Sequence, residues 1–543
     1  MKKTTFPKYI ITIALALLCN QAVFSQENKK PNILFIAIDD LKPVLGCYGN
    51  TLIKTPHMDR LAKMGTVFMS NYCQQAVCGP TRASIMTGKR PDYTQVWDLK
   101  TKMRDVNPDI LSLPQYFISQ GYSTQGIGKI YDSRCVDKKM DEPSWSVPYY
   151  NYFKTEEKYY AKETGMPILG AYQSPETKEL AIKFKKEGQD KGLKDKELDD
   201  FVSKSIKPAV ECVDVPDNAY NDGANALRAL EILEKLKSDT KPFFFAVGFS
   251  KPHLPFVAPK KYWDLYKRED MPVAAFQEKP KNSVNPAFHN SGEIRAYTDI
   301  PPLLSFTDQK DFGLTLPIAK QQELIHGYYA AVSYTDAQVG KLLDKLDALG
   351  LTKNTIIILW GDHGWHLGDH NIWCKHTNFE QATRTPMIIA APGIAASTTN
   401  ASTEFVDIFP TLCDLAGVLI PDTLDGKSLM PLMNNTAKSV KEYSISQYPR
   451  SGNSSETERQ GYASSKVMGY SLRDKRYRYT IWMNNNFRST QAFNPDFIVG
   501  TELYDYEKDP NETNNVVDEK EYKAVAKDLK TKMIAYFAAQ VDK

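Results

Sequence analysis

The stretch NILFIAI, residues 32–38, is apolar from its second position onward and runs straight into Asp39 and Asp40. A short, continuous apolar run suits a strand covered on both faces, as in a parallel sheet between helices. Two later runs repeat the pattern. FFFAVGF, residues 243–249, leads into Ser250, Lys251, Pro252 and His253, and TIIILW, residues 355–360, leads into Gly361, Asp362, His363 and Gly364. Stretches of helical period precede both. Ala226, Leu230 and Leu233 share one helical face, as do Val339, Leu342, Leu343 and Leu346. The alternation predicts an α/β fold with a large mixed, mainly parallel sheet between helices. Ligands bind such sheets off the carboxyl ends of the strands, where all three polar loops fall.

The pattern changes near Val440. Residues 442–448, 467–473 and 476–483 read as short strands and residues 524–540 as a helix, which predicts a smaller α+β C-terminal subdomain with an antiparallel sheet over 440–543. Residues 26–439 are then the catalytic domain. Residues 154–207, rich in Lys and Glu, read as a surface insertion, either one wall of the cleft or a solvated excursion. At the start, Lys2 and Lys3, the apolar run 10–18 and the small residues Val23 and Ser25 predict a signal peptide over 1–25 and export to the periplasm or medium. That run is too short to span a bilayer, and no later one is long enough. Cys19 follows Leu18, where a lipoprotein needs a small residue, which disfavours lipidation.

With 68 basic against 65 acidic residues in a chain of 543, the net charge of +3 argues against a nucleic-acid partner. Any anionic substrate must be held by local cations. There are 8 cysteines and no CxxC pair, which makes a zinc ribbon improbable. Losing Cys19 with the leader leaves an odd number. One thiol therefore has a separate fate, either as a free buried group or by chemical conversion, for which Cys78 is the candidate.

Cys78-Gly79-Pro80-Thr81-Arg82, continuing to Thr87-Gly88-Lys89-Arg90, has the form of a helix start. Pro80 suits the first turn, and Cys78 would sit at the N-terminus, where partial positive charge favours an anion. Arg82 falls on the same face. Asp39 with Asp40, and Asp362 with His363, could each be a turn or cap. Brought together, they offer an oxygen-rich site for calcium or magnesium. Lys129 follows Gly126-Ile127-Gly128, whose glycines permit close approach. His253 lies in KPHLPF, where prolines fix the loop.

The segment CGPTRASIMTGKRP resembles the signature of type I, formylglycine-dependent sulfatases of the alkaline phosphatase superfamily, and the resemblance covers nearly the whole mature chain. IDDLKPVLGCYGN, QQAVCGPTR, FFFAVGFSKPHLPF and GDHGWHLGDHNIWCKHTNFEQATRTPMI are similar to the iduronate-2-sulfatase type in particular, and ELYDYEKDPNETNN resembles the common C-terminal motif. The resemblance implies that a separate maturation enzyme oxidises Cys78 to formylglycine. It implies Ca²⁺ held by Asp39, Asp40, Asp362, His363 and residue 78, with Arg82 holding the formylglycine hydroxyl. Lys129 and Lys375 would bind the sulfate of a sulfated mono- or oligosaccharide, and His253 would protonate the departing sugar oxygen. A formylglycine–sulfate intermediate and a 2-O-sulfated uronic acid substrate follow on the same grounds. His363 stands where many sulfatases carry asparagine, as in the iduronate type.

One position departs from the pattern. The family places a histidine three residues after the lysine matching Lys129, and here Asp132 stands there. Either Asp132 is the base that releases sulfate, or the role moves elsewhere, or turnover is impaired. Trp97, Trp365, Trp373 and His376 are candidate sugar contacts by neighbourhood, with a core role for the tryptophans equally open. His366 and His370 read as further cleft walls rather than a soft-metal cluster. Three rival functions stay open: a phosphodiesterase or phosphonate hydrolase of the same superfamily, a non-catalytic sulfated-glycan-binding protein, and a structural surface protein.

Overall fold

The structure, a computed structural model, describes residues 30–151, 156–301, 315–450, 467–484 and 493–541; the expected signal peptide, residues 1–25, lies outside them. Eight strands form the main sheet: β1 (Asn32–Ile38), β2 (Thr66–Tyr72), β3 (Ser123–Gly128), β4 (Tyr150–Asn151), β5 (Phe243–Phe249), β6 (Thr355–Gly361), β7 (Met387–Ala390) and β8 (Ser397–Glu404). Their order is β8-β2-β7-β6-β1-β5-β3-β4. β1 pairs in parallel with β5 and β6, and β3 in parallel with β5 and β4. Only β7 runs against its neighbours, β6 and β2, so the sheet is mixed and mainly parallel.

Both faces are covered, which is why the strand sequences show no alternation. On β1, Leu34, Ile36 and Ile38 enter one apolar cluster while Ile33, Phe35 and Ala37 enter the other. The first face is closed by α4 (Asn221–Lys237) and α5 (Ile318–Ala348), through Ala226, Leu233, Val339 and Leu342 among others. The second face takes α1 (Cys78–Thr87), every residue of which is buried. Two helices, α2 (Pro175–Asp190) and α3 (Asp195–Ser205), build the Lys- and Glu-rich insertion and pack chiefly on each other through Ala181, Leu198 and Val202.

A second, antiparallel sheet follows: β9 (Ser444–Arg450), β10 (Val467–Arg473), β11 (Tyr477–Asn484) and β12 (Ile498–Asp505), covered by α6 (Lys523–Val541). Its core joins Ile445, Leu472, Ile481 and Leu503 to Leu529, Met533 and Phe537 of α6, and Trp97 lies in the same cluster. β12 is an element that the apolar pattern did not predict. No helix among the described residues is long and apolar enough to cross a membrane.

Candidate active site

Three strand ends and one helix start meet at the site. β1 delivers Asp39 and Asp40, β6 delivers Asp362 and His363, β3 delivers Lys129, and α1 begins at Cys78. Cys78 is 1% exposed, with His363 Nε2 3.4 Å and Lys129 Nζ 3.9 Å from its Sγ. Burial, and then the charge of Asp39, push its thiol well above the ordinary range. An unmodified Cys78 is therefore a poor nucleophile, since the thiolate is the reactive form.

Asp39, Asp40, Asp362 and His363 are all fully buried. One ligand atom from each of Asp40, Cys78, Asp362 and His363 lies within 4.8 Å of every other, and the same holds for Asp39, Asp40 and His253. Asp40 stands at φ 59°, a left-handed conformation that aspartate tolerates better than most residues. Its amide donates to Asp362 Oδ1 at 2.9 Å, which ties the two acidic loops together. Burial pushes the Asp40 carboxyl up, against the opposing charge of Lys375. Three buried carboxylates in so small a volume favour a hard divalent cation.

Arg82 holds this framework. Its Nε donates to Asp362 Oδ2 at 3.0 Å, its Nη2 to Asp39 Oδ1 at 2.9 Å, and its Nη1 to the carbonyls of Lys129 and Ile130. The resemblance assigns Arg82 to the hydroxyl of residue 78; with Cys78 in place the guanidinium holds the two aspartates and the strand end. Lys129 Nζ reaches Asp39 Oδ2 at 2.5 Å. The turn that aims it depends on Gly128, at φ 80°, where a Cβ would lie 1.9 Å from the Gly248 carbonyl oxygen.

Lys375 leaves a short hairpin (His366–Leu367 with Trp373–Cys374) and is flanked by Cys374 at φ 77° and His376 at φ 69°. Its Nζ contacts both oxygens of Asp40 and Glu293 Oε1, each at 3.0 Å, and sits 4.8 Å from the centre of the Trp365 ring. Burial works against this charge, but Asp40 and Glu293 outweigh it and hold the ammonium well above its usual pKa. His253 Nε2 lies 3.2 Å from Glu293 Oε1 and 3.8 Å from Asp40 Oδ2. Its loop is anchored below by Asp222, which accepts from the Ser250 and Lys251 amides, and by Lys251, which donates to the His253 and Pro255 carbonyls.

Several expectations need correction. Asp132 forms a two-point pair with Arg134, at 2.8 and 2.7 Å, and although burial opposes it this pairing and Lys129 bring its carboxyl down to about 2. So weak a base suits proton abstraction poorly. Trp97, Trp365 and Trp373 are 7%, 0% and 2% exposed and belong to apolar clusters, so none offers a ring face to a sugar. Trp365 contributes instead from beneath Lys375. His366 pairs with Thr377 and His370 with the Asn511 carbonyl, both buried, so neither is a cleft wall. His376 is half-buried, its ring against His289 and Tyr448. Sequence reasoning missed Glu293, Arg134, Asp222 and Lys251. Lys251 stands in the KPHLPF stretch but reads there only as its flank, while the other three carry no motif and only the folded chain brings them to the loops.

Comparison with known proteins agrees with this geometry. Solved structures of similar architecture include a protein in complex with its substrate D-glucosamine-2-N,6-O-disulfate, at TM-score 0.67 and 21% identity over 94% of this chain and 98% of that one. Another is the phosphonate monoester hydrolase of Agrobacterium radiobacter, at TM-score 0.65 and 22% identity over 94% and 96%. These likenesses show that the fold is shared over nearly the whole chain. The sulfatase family model matches residues 31–418, and the model for the N-sulphoglucosamine sulphohydrolase C-terminal region matches residues 368–539. Iduronate 2-sulfatase of Homo sapiens is 32% identical over 90% of this chain and 91% of its own length. A sulfatase of Formosa agariphila is 28% identical over 96% and 91%. The chain belongs to the sulfatase family and is a sulfuric ester hydrolase, homologous to iduronate 2-sulfatases.

Proposed function

We propose that the enzyme removes an O-sulfate from a sulfated glycan sugar, a 2-O-sulfated uronic acid in the first instance, after conversion of Cys78 to formylglycine. The observation that carries this reading is the placement of Cys78 at the start of α1, between Lys129, His363 and three buried carboxylates. The relatives named iduronate 2-sulfatase support the choice of sugar. Asp39, Asp40, Asp362 and His363 would hold the divalent cation, calcium by family resemblance, which would supply positive charge to the sulfate oxygens and acidify a nearby hydroxyl. The formylglycine hydrate would supply one hydroxyl for attack and a second through which sulfate can leave.

The remaining roles belong to this chain's own side chains. Lys129 and Lys375 face the position of the sulfate oxygens and stabilise the charge that builds on them. The N-terminus of α1 adds its partial positive charge. His253, at the open side of the site, donates from Nε2 to the departing sugar oxygen, its ring held by Nδ1 on the Leu254 carbonyl at 2.6 Å and its Nε2 beside Glu293. Arg82 keeps Asp39 and Asp362 in register. Asp132 is engaged by Arg134, which favours a positioning role for it and assigns the base to another group of the centre.

The test is sulfate release by matured protein from a panel of sulfated mono- and disaccharides, with Cys78→Ala as control. The reading requires release from at least one sugar and none by the control. The similarity to a phosphonate monoester hydrolase favours a second reading, hydrolysis of phosphonate or phosphate esters. Higher kcat/KM on those esters than on every sulfate ester would establish it in place of the first.

A further inference from the structure

Beside Lys129 and His253 opens a cavity of about 450 Å³, with walls that include Asp132, Arg134, Leu169 and Lys207. Its cations are not equally committed. Lys129 is paired with Asp39, and Lys251 is spent on two carbonyls. Lys207 is half-buried, its Nζ 4.3 Å from the centre of the Tyr297 ring, and no carboxylate among the described residues lies within ion-pair distance of it. Arg134 is fixed by Asp132 through Nε and Nη2, which leaves Nη1 without a partner among the described residues. A half-buried ammonium without a counter-ion has lost hydration and gained no charge partner. Burial accordingly lowers the Lys207 pKa, and the charge of Glu293 only partly opposes this. An anion arriving with the substrate would complete the arrangement, through charge-assisted hydrogen bonds.

We infer that Lys207 and Arg134 form a second anion subsite in the cleft, in the same cavity as Lys129, and that it selects sugars with a further acidic substituent, a carboxylate or a second sulfate. The inference rests on the sulfatase reading above. On this view Asp132 is a positioning residue: it replaces the family histidine and holds Arg134 for recognition.

The test compares kcat/KM on a matched pair, a 2-O-sulfated uronate disaccharide and its carboxyl-reduced counterpart, with a disulfated neutral sugar as third substrate. Wild type should prefer the acidic partner, and Lys207→Gln and Arg134→Gln should each shrink that preference about tenfold through KM, equivalent to one charge-assisted contact. Lys207→Arg should restore it. Loss confined to the uronate pair assigns the subsite to a carboxylate, and loss on the disulfated sugar assigns it to a second sulfate. Equal loss on the acidic and reduced sugars, or an unchanged preference, overturns the subsite while leaving the sulfatase reading in place. A wild type that releases sulfate from none of the sugars removes both.

Discussion

Glu293 is the residue on which the two sides of the cleft meet. It touches Lys375 at 3.0 Å and His253 at 3.2 Å, so one carboxylate holds both the proposed sulfate-binding cation and the proposed proton donor. Burial would raise its pKa, but Lys375 and then His253 hold the carboxyl well below the usual range. Glu293→Gln keeps the shape and removes the charge. It should lower kcat by about 10- to 100-fold with a smaller change in KM, as when a partner that orients an active group is lost. Steady-state kinetics on the best sulfate ester would show this, and an effect on KM alone would contradict it. Asp132 gives the opposite expectation. As it acts on Arg134 rather than on the reacting atoms, Asp132→Asn should lower kcat less than tenfold and raise KM for acidic sugars, an outcome that a base could not give.

Elements make their own demands. β3 and β5 approach so closely at Gly128 and Gly248 that a side chain at 128 has no room and the wrong backbone conformation. Gly128→Ala should destabilise the protein by about 2 kcal/mol or more and displace Lys129, visible as a lower melting temperature together with lost turnover. In the second sheet, Glu502 of β12 accepts from Trp482 Nε1 and Tyr504 OH, and burial raises its carboxyl to about 7. The folded state therefore prefers the protonated form. That contribution is complete below the unfolded value near roughly pH 4 and is lost as pH rises through 7. Glu502→Gln should remove up to about 3 kcal/mol of this loss, so its melting temperature should gain on wild type at pH 8 and not at pH 4. β12 also shows where the sequence was opaque. β1 and β5 are covered on both faces, and their unbroken apolar runs give their limits directly. β12 begins with half-exposed Ile498 and exposed Val499 and carries Glu502 inward, so no period of two or run of apolar residues marks it. The same logic explains the site. Asp39, Asp40, Asp362, His253 and Cys78 sit at strand ends or helix starts that the pattern locates, whereas Glu293 and Arg134 lie in irregular segments whose positions only tertiary packing defines. The tryptophans misled because nearness in sequence to the site says nothing of which way a ring turns.

At the scale of the whole molecule, the centre ties β1, β3, β6 and α1 to one another through buried charges, so a cation bound there belongs to the folded state alone. A ligand at about a hundred times its Kd stabilises the folded state by about 2.7 kcal/mol. Adding calcium to chelator-treated protein should therefore raise the melting temperature by a few degrees, and Asp40→Asn should abolish the gain. Among the described side chains in mutual contact, Asp39, Asp40, Asp362 and Glu293 face Arg82, Lys129 and Lys375, with His253 and His363 also against them. A divalent ion held by these carboxylates would add positive charge where a sulfate ester must dock. Metal and substrate binding should then be coupled, each strengthening the other.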